Sequence, residues 1–288
     1  MSGIGPHYVP STGPTAGQHT AGAQHYYGSA DETGHYTRPP PAYIGDDEML
    51  LRGGVLRSSI DNVPDDFKYG GVISEATIDI RHAFVRKVYA ILTVQLLATM
   101  ALSTVSFFSS SFKLWIQSNP WMMFVSLFGA LGFLFATYWK RKSYPTNLIF
   151  LSGFTLLEAY AIAVVTSFYD SRVVLQAIVI TAALFVALTL FACQTKYDIT
   201  SWYSYLYGAL WLLIIFGLVA MFFPGTWMEL AYAGGVAILF SIYIVVDTQL
   251  IMRHMHIEEE IAAAIALYLD IINLFLAILR ILNSNNDN

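Results

Sequence analysis

Hydrophobic residues after position 80 form seven long runs that are separated by short polar breaks. A transmembrane helix needs about 20 consecutive apolar residues, and each run is long enough to supply them. The pattern therefore predicts an all-α membrane protein with seven transmembrane helices. The predicted spans are 88–108, 120–139, 146–168, 173–193, 203–223, 230–252 and 261–282.

The breaks carry residues that end helices or mark a membrane interface. Asn119 and Pro120 open the second run, and the basic triplet at 140–142 closes it. Trp121 and Trp139 lie at opposite ends of this run, as interfacial anchors do. The seventh run contains polar groups, so a re-entrant segment stays open there as the alternative to a full span.

Composition supports the membrane assignment. The chain of 288 residues is 56% hydrophobic and 12% charged, with a mean hydropathy of +0.55. Soluble domains carry about 25% charged residues, so a soluble enzyme and a disordered hub are both disfavoured. The single cysteine, Cys193, excludes an intramolecular disulfide and a Cys-rich zinc or iron–sulfur site.

Charge and composition divide the chain into four parts. Residues 1–80 hold ten acidic and four basic groups, whereas residues 81–288 hold ten acidic and eleven basic groups. Neither part has the basic stripe of a nucleic-acid-binding protein. The predicted parts are a disordered Pro-, Gly- and Tyr-rich cytosolic tail at 1–60, an amphipathic pre-membrane segment at 61–87, the transmembrane domain at 88–282 and a polar tail at 283–288.

The N-terminal tail contains one candidate interaction motif. Residues 1–45 lack the apolar run of a signal peptide, and too few of them are apolar to offset the entropy of ordering. Pro40, Pro41 and Tyr43 belong to a Pro-Pro-x-Tyr run, which suits the aromatic groove of a WW domain. A WW-domain ubiquitin ligase is the corresponding partner class, and a Pro-rich spacer is the alternative.

Basic residues beside the spans predict the orientation. With the N-terminus in the cytosol, eight basic residues lie on the cytosolic side and three on the other. This distribution satisfies the positive-inside rule. The eight are Arg81, Arg86, Lys87, Lys140, Arg141, Lys142, Lys196 and Arg253, and the three are Lys113, Arg172 and Arg280.

Three carboxylates fall inside predicted spans. An ionisable group at the bilayer centre costs at least about 2.5–3.5 kcal/mol, so each needs a partner or a use. They are Glu158 in the third run, Asp247 in the sixth and Asp270 in the seventh, where Asn273 follows on the same face. Glu158 and Asn273 are candidate counter-ion or pore-lining residues, and for Glu158 a hydrogen bond to a helix neighbour such as Tyr160 is the alternative.

The two aspartates have compatible depths. Asp247 lies roughly 7 Å, and Asp270 roughly 13 Å, from the same membrane face at 1.5 Å per residue. They can therefore meet across an antiparallel helix pair, where two close carboxyl groups share a proton. Such a pair is a proton-sensitive latch and a transient site for calcium. The alternative is that each aspartate caps a helix or bonds a neighbouring polar side chain.

Other residues carry weaker signals. Lys140 or Arg141, at the end of the second run, can supply a counter-ion, or can simply snorkel at the membrane edge. His254, His256 and residues 258–260 read as a solvated loop rather than a metal site. Four glycines predict close helix packing. These are Gly129, Gly132, Gly234 and Gly235.

The sequence resembles the transmembrane Bax-inhibitor-motif family, nearest its Lifeguard-like branch and its fungal members. The resemblance covers roughly residues 65–282. Five stretches carry it: FVRKVYAILTVQLL at 84–97, FTLLEAYAIAVV at 154–165, CQTKYDITSW at 193–202, VVDTQLIMR at 245–253 and ALYLDIINLFLAILRIL at 266–282.

The resemblance implies a fold in which the last helix is central and wrapped by the other six. It also implies a pH-sensitive calcium leak, with Asp247 and Asp270 as sensor and latch and with Arg141 or Lys140 as the interacting cation. Members of the family are associated with protection against cell death and endoplasmic-reticulum stress. The implied location is the endoplasmic reticulum membrane, with vacuolar or mitochondrial membranes as the fungal alternatives.

Two functional hypotheses follow. The first is a calcium leak channel without a bound cofactor, which lowers stored calcium and modulates cell death and the stress response. The second is a membrane scaffold that acts through apoptosis regulators or a WW-domain ligase. A heptahelical receptor is disfavoured by the predicted orientation. An intramembrane aspartyl protease is disfavoured because Asp270 lacks a Gly-x-Gly-Asp setting.

Overall fold

The computed structural model describes Ile73 and residues 78–140, 143–223 and 225–286. These residues form eight α-helices and one short 3-10 turn at Thr200–Trp202. The helices are α1 (Ile78–Phe108), α2 (Ser110–Ser118), α3 (Trp121–Trp139), α4 (Thr146–Thr166), α5 (Ser171–Gln194), α6 (Tyr203–Ala220), α7 (Thr226–Arg253) and α8 (Glu260–Asn286).

Seven of these helices are long and apolar enough to cross a membrane. The exception is α2, which has nine residues and spans about 14 Å. The prediction of an all-α integral membrane protein with seven spans is confirmed, and the seventh run forms one continuous helix.

The first span begins earlier than predicted and ends where predicted, at Phe108. Helix α1 begins at Ile78, ten residues before the predicted boundary. Polar residues such as Asp79 and Arg86 interrupt the apolar pattern there, but they are compatible with helix. Helix α2 follows α1 directly, and its first turn is capped by Ser109, whose hydroxyl accepts a hydrogen bond from Phe112 N. Neither α2 nor the early start of α1 has a hydropathy signal of its own.

Helix α8 lies at the centre of the bundle. In its most apolar 18-residue stretch 72% of the residues are buried, the largest share among the seven spans. It packs against α1, α5 and α7, and Tyr268 meets Phe154 of α4 edge-on, with ring centroids 6.0 Å apart. Helix α3 is added outside α4, and α6 is added outside α7. The predicted central position of the last helix is confirmed.

The peripheral helices present apolar side chains to the lipid. In the most apolar 18-residue stretch of the span that contains α6, only 6% of the residues are buried. Trp121 and Trp139 are exposed at opposite ends of α3, as interfacial anchors require.

Contacts between loops identify the two ends of the bundle. At the end that holds the α7–α8 loop, Ile73 N donates to Met255 O and Lys87 pairs with Glu260. We call this the α7–α8 end. At the other end, Gln117 Nε2 donates to Ser167 O at 2.9 Å. We call that one the α8 C-terminal end.

Several predicted features lie outside the described residues. These are the tail at 1–60 with Pro40, Pro41 and Tyr43, most of the pre-membrane segment and Arg141. Residues 78–87, which belong to the predicted pre-membrane segment, form the first turns of α1.

Candidate functional site

Asp247 and Asp270 lie on the two helices that flank the α7–α8 loop. Asp247 precedes the last residue of α7, Arg253, by six positions, and Asp270 follows the first residue of α8, Glu260, by ten. These intervals place the two carboxyl groups about 9 Å and about 15 Å along their helices from the loop. Because the helices are antiparallel neighbours, the two side chains meet inside the bundle.

The two carboxyl groups lie within hydrogen-bonding reach of each other. Asp247 is 8% and Asp270 5% exposed, so water screens neither of them effectively. A carboxylate only accepts hydrogen bonds, so a bond between two carboxyl groups requires one proton. Asp270 Oδ2 is buried without another donor among the described residues. One proton shared between the two groups satisfies this requirement.

Two tyrosines surround this pair on the side of α6 and α7. Tyr203 and Tyr243 both interact electrostatically with the two aspartates, and their rings meet edge-on at 6.3 Å. A charge that forms on either carboxyl group therefore faces two phenol groups in a mostly apolar setting. The sequence alone does not single out these two tyrosines, because the chain contains 18 of them.

Glu158 and Asn273 occupy different environments from the pair. Glu158 is half-buried on α4, and its charge acts on Tyr268 of α8. Asn273 is half-buried on α8 and donates from Nδ2 to Leu269 O of its own helix at 2.8 Å. The structure thus places Glu158 near α8, whereas the amide group of Asn273 is hydrogen-bonded within its own helix.

The proposed counter-ions and the metal site have less support in the described residues. Lys140 is exposed and makes no ion pair with Asp247 or Asp270. Within residues 78–140, 143–223 and 225–286, no group of three His, Cys, Asp or Glu side chains is placed to hold a metal ion.

The end of α7 is tied to the loop between α5 and α6. Gln249 is 1% exposed, and its side chain accepts from Ile199 N and donates to Tyr197 O. Arg253 Nη2 donates to Thr195 O at 3.0 Å. Two stretches that the sequence singled out, CQTKYDITSW and VVDTQLIMR, are thus in direct contact. Residue spacing did not reveal this contact, because about fifty residues separate the partners.

The same loop carries an acidic group outside the membrane. Asp198 accepts hydrogen bonds from the hydroxyl and backbone N–H of Thr200, and these bonds lower the pKa of Asp198. His254, at the end of α7, lies with Nε2 3.7 Å from Asp198 Oδ2. The α5–α6 loop is therefore held both by Gln249 and by charge at its exposed side.

A cavity of about 720 Å³ opens at the α8 C-terminal end. Arg280 lies over the ring of Tyr232 there, 5.6 Å from its centroid, and Glu229 lines the same cavity. Neither member of the aspartate pair lines this cavity. The pair is instead enclosed between the helices.

Sequence comparison relates this chain to several known proteins. A family model described as inhibitor of apoptosis-promoting Bax1 matches residues 81–287. Protein lifeguard 4 of Mus musculus is 41% identical over 233 residues, covering 81% of this chain and 97% of that protein. The Golgi anti-apoptotic protein of Vaccinia virus (strain Lister) is 40% identical, covering 80% of this chain and 97% of its own length. Bax inhibitor 1 of Schizosaccharomyces pombe is 40% identical over 252 residues, with 86% of this chain and 92% of that protein covered.

The family match spans more than half of the chain, and three relatives align over nearly their whole length. The match includes all seven spans, except for the first three residues of α1, and both aspartates. This chain belongs to the family of inhibitors of apoptosis-promoting Bax1, which includes the Lifeguard and Bax inhibitor 1 proteins.

Proposed function

We propose that this chain is a pH-sensitive calcium leak channel of an intracellular membrane, and that the Asp247–Asp270 pair is its latch. By lowering stored calcium, the leak modulates cell death and endoplasmic-reticulum stress. The names of the relatives, a Golgi anti-apoptotic protein and Bax inhibitors, support the role in cell death. The endoplasmic reticulum is the expected membrane, with the N-terminus in the cytosol.

The observation that carries the proposal is the contact between two carboxyl groups inside a membrane bundle. Burying two ionisable groups is costly, and replacing them with apolar residues would give a simpler core. A shared proton joins α7 to the central helix α8. When the proton is lost, two like charges face each other in a poorly screened space, and the helix pair is pushed apart.

Protonation therefore changes the relative free energies of two arrangements of α7 and α8. A proton favours the joined arrangement, and a cation that reaches the carboxylates favours the separated one. Carboxylate oxygens are the ligands that calcium prefers, so the separated pair is a site at which calcium can bind transiently. Arg141 or Lys140 serves as the counter-ion that stabilises the charged form.

The proposal is tested by calcium flux from liposomes that contain the purified chain, measured at several pH values. Asp247→Asn and Asp270→Asn keep the shape of each side chain but remove its titration. Asp170→Asn is the matched control, because Asp170 caps α5 at the opposite end and an amide oxygen can still accept from Arg172 N.

We expect flux through the wild type and the Asp170 variant to depend on pH, and both pair variants to lose this dependence. A pH–flux curve that is unchanged in both pair variants would refute the latch. Absence of flux from every folded sample would refute the channel and favour a scaffold that acts through apoptosis regulators or a WW-domain ligase. Deletion of residues 1–45 separates these functions, because a channel keeps its flux without the tail.

A further inference from the structure

A stripe of polar residues follows one face of α1 through the bundle. Its members are spaced by four, four and three residues, which places them on one side of a helix. Each is less than a tenth exposed although α1 crosses the membrane. They are Gln95, Thr99, Ser103 and Ser106.

The stripe lies where α1 meets α4 and the central helix α8. Gln95 Nε2 donates to Thr155 Oγ1 of α4 at 3.1 Å. The hydroxyl groups of Thr99 and Tyr268 of α8 are hydrogen-bonded at 2.8 Å. Glu158 is three residues beyond Thr155 on α4 and lies near Tyr268 of α8. An acidic side chain therefore borders the stripe at mid-membrane depth.

This site is on the opposite side of α8 from the aspartate pair. Tyr268 and Asp270 are two residues apart, and two residues turn an α-helix by about 200°. Tyr268 contacts α1 and α4, whereas Asp270 contacts Asp247 of α7. Helix α8 thus separates the polar stripe from the pair. A displacement of α8 at the pair therefore also changes its contacts with α1 and α4.

Helix–helix hydrogen bonding accounts for only part of the stripe. Thr99 and Ser106 bond backbone carbonyls of their own helix, and Gln95 binds Thr155. Two buried oxygens on the stripe have no hydrogen-bond partner in the described structure: Gln95 Oε1 and Ser103 Oγ. In a membrane interior such groups are costly unless water or an ion satisfies them. They flank Thr99 on α1, one turn away on either side.

We propose that the α1–α4–α8 interface is a hydrated cation pathway, lined by the α1 stripe and Glu158 and closed by the Thr99–Tyr268 hydrogen bond. This inference rests on the proposed calcium leak and supplies its route. Amide, hydroxyl and carboxylate oxygens replace part of the hydration shell of a hard cation. The aspartate pair acts from the other face of α8 and sets whether Tyr268 stays against Thr99.

The pathway is tested by cysteine accessibility in proteoliposomes, with a small cationic methanethiosulfonate reagent. Cys193 is the only cysteine and is exposed, so Cys193→Ala provides a thiol-free background. A single cysteine then replaces each residue of the stripe in turn. The controls on the same helix are Leu92→Cys, in the dry core, and Val94→Cys, on the lipid face.

Water is needed to form the reactive thiolate. We therefore expect the stripe cysteines to react about tenfold or more faster than both controls, and calcium to slow them. Stripe rates equal to the control rates, in protein that leaks calcium, would overturn the pathway and leave the leak standing. Fast stripe reaction without calcium flux would instead overturn the leak and leave a hydrated crevice.

The constriction is tested with Tyr268→Phe and Thr99→Val, which remove the same hydrogen bond from opposite sides. If this bond holds the closed state, each variant raises calcium flux about three- to tenfold at a given pH. Tyr207→Phe is the control, since Tyr207 is exposed on α6. Unchanged flux in both test variants would overturn the assignment of the constriction.

Discussion

The side-chain oxygen of Gln249 accepts a hydrogen bond from the backbone N–H of Ile199 at 2.9 Å, across fifty residues of sequence. The same side chain donates from Nε2 to Tyr197 O at 3.0 Å. Gln249 follows Asp247 by two residues on α7. Movement of the α5–α6 loop is therefore transmitted directly to the helix that carries one member of the aspartate pair.

Gln249→Ala should destabilise the protein. The substitution leaves the N–H of Ile199 and the carbonyl of Tyr197 without their partner in a buried site, which costs about 1–3 kcal/mol. Thermal unfolding in detergent should then occur about 2–4 °C lower for each kcal/mol lost. Gln176→Ala is the matched control, because Gln176 is exposed on α5. Equal melting temperatures for the two variants would show that the Gln249 hydrogen bonds do not stabilise the protein.

Asp198 should give the α5–α6 loop a pH-dependent stability. Hydrogen bonds from Thr200 lower the pKa of Asp198 below its ordinary value of 3.8. A lowered folded-state pKa contributes stability that is complete above the unfolded value and is lost as pH falls through the folded one. The contribution is therefore present above about pH 4 and disappears in more acidic solution.

The measurement compares melting temperature with pH for the wild type and Asp198→Asn. The difference between them should shrink as pH falls below about 4, because the carboxylate is protonated first in the unfolded state and then in the folded state. Asp198 is exposed, so solvent screening keeps this difference small. Thr200→Val removes the hydroxyl bond and should give a smaller pH-dependent difference from Asp198→Asn. A difference that is constant across the range would show that ionisation of Asp198 contributes nothing.

The sequence predicted the spans well where polar breaks are sharp. Helix α3 occupies 121–139 against a predicted 120–139, and α4 begins at Thr146 as predicted. Hydropathy failed at α1, whose first ten residues are helical but mix polar with apolar side chains, and at α2, which is too short to give a signal. An apolar run predicts the part of a helix that lies in the lipid. It does not predict where the helix begins or ends, because backbone hydrogen bonding continues into polar residues.

The candidate site was predictable only in part. The depths of Asp247 and Asp270 follow from helix geometry, and the structure brings the two side chains together. The environment of the pair does not follow from one helix, because Tyr203 and Gln249 depend on contacts between distant segments. The polar stripe on α1 has a helical period, but only its burial at a three-helix contact distinguishes it from an exposed polar face.

The glycine positions also show that contacts between helices were only partly predictable from the sequence. A Cβ atom at Gly129 would lie 2.8 Å from Leu157 Cδ1, and one at Gly235 would lie 3.2 Å from Leu213 Cδ2, so close packing is confirmed at both. The prediction was wrong at Gly132 and Gly234, where a Cβ atom would meet nothing within 4 Å. Gly153, which was not selected, makes the tightest approach, because no sequence pattern reveals which residue faces it.

Gly153→Ala should loosen the packing of α3 against α4. The added Cβ would lie 2.5–2.9 Å from three atoms of the Phe133 ring, which is also held by Phe150 at a centroid distance of 6.2 Å. Overpacking of this kind costs about 1–3 kcal/mol. Gly132→Ala has open space and should gain up to about 1 kcal/mol from helix propensity.

The two alanine variants should therefore melt on opposite sides of the wild type. Phe133→Leu tests the cause, since a smaller side chain removes the clash. In that background Gly153→Ala should lose most of its penalty, and the double mutant should be more stable than additivity predicts. Additive effects of the two substitutions would show that the contact with Phe133 is not responsible.

The Lys87–Glu260 ion pair should couple α1 to the start of α8 weakly but measurably. Lys87 Nζ lies 2.6 Å from Glu260 Oε1, and the side chains are 58% and 14% exposed. Exposed pairs contribute about 0.2–1 kcal/mol, and the shielding of Glu260 places this pair near the upper end. A double-mutant cycle with Lys87→Met and Glu260→Gln measures that coupling.

Salt distinguishes a charge interaction from simple packing in this cycle. At about 1 M salt the Debye length falls to about 3 Å, so the coupling should decrease on the exposed Lys87 side. The control cycle is Asp198→Asn with His254→Gln, whose partners are 3.7 Å apart and about half exposed. Solvent screens both of these side chains, so this second cycle should give almost no coupling. A Lys87–Glu260 coupling that is indifferent to salt would mean that the contact joins α1 to α8 by packing and not by charge.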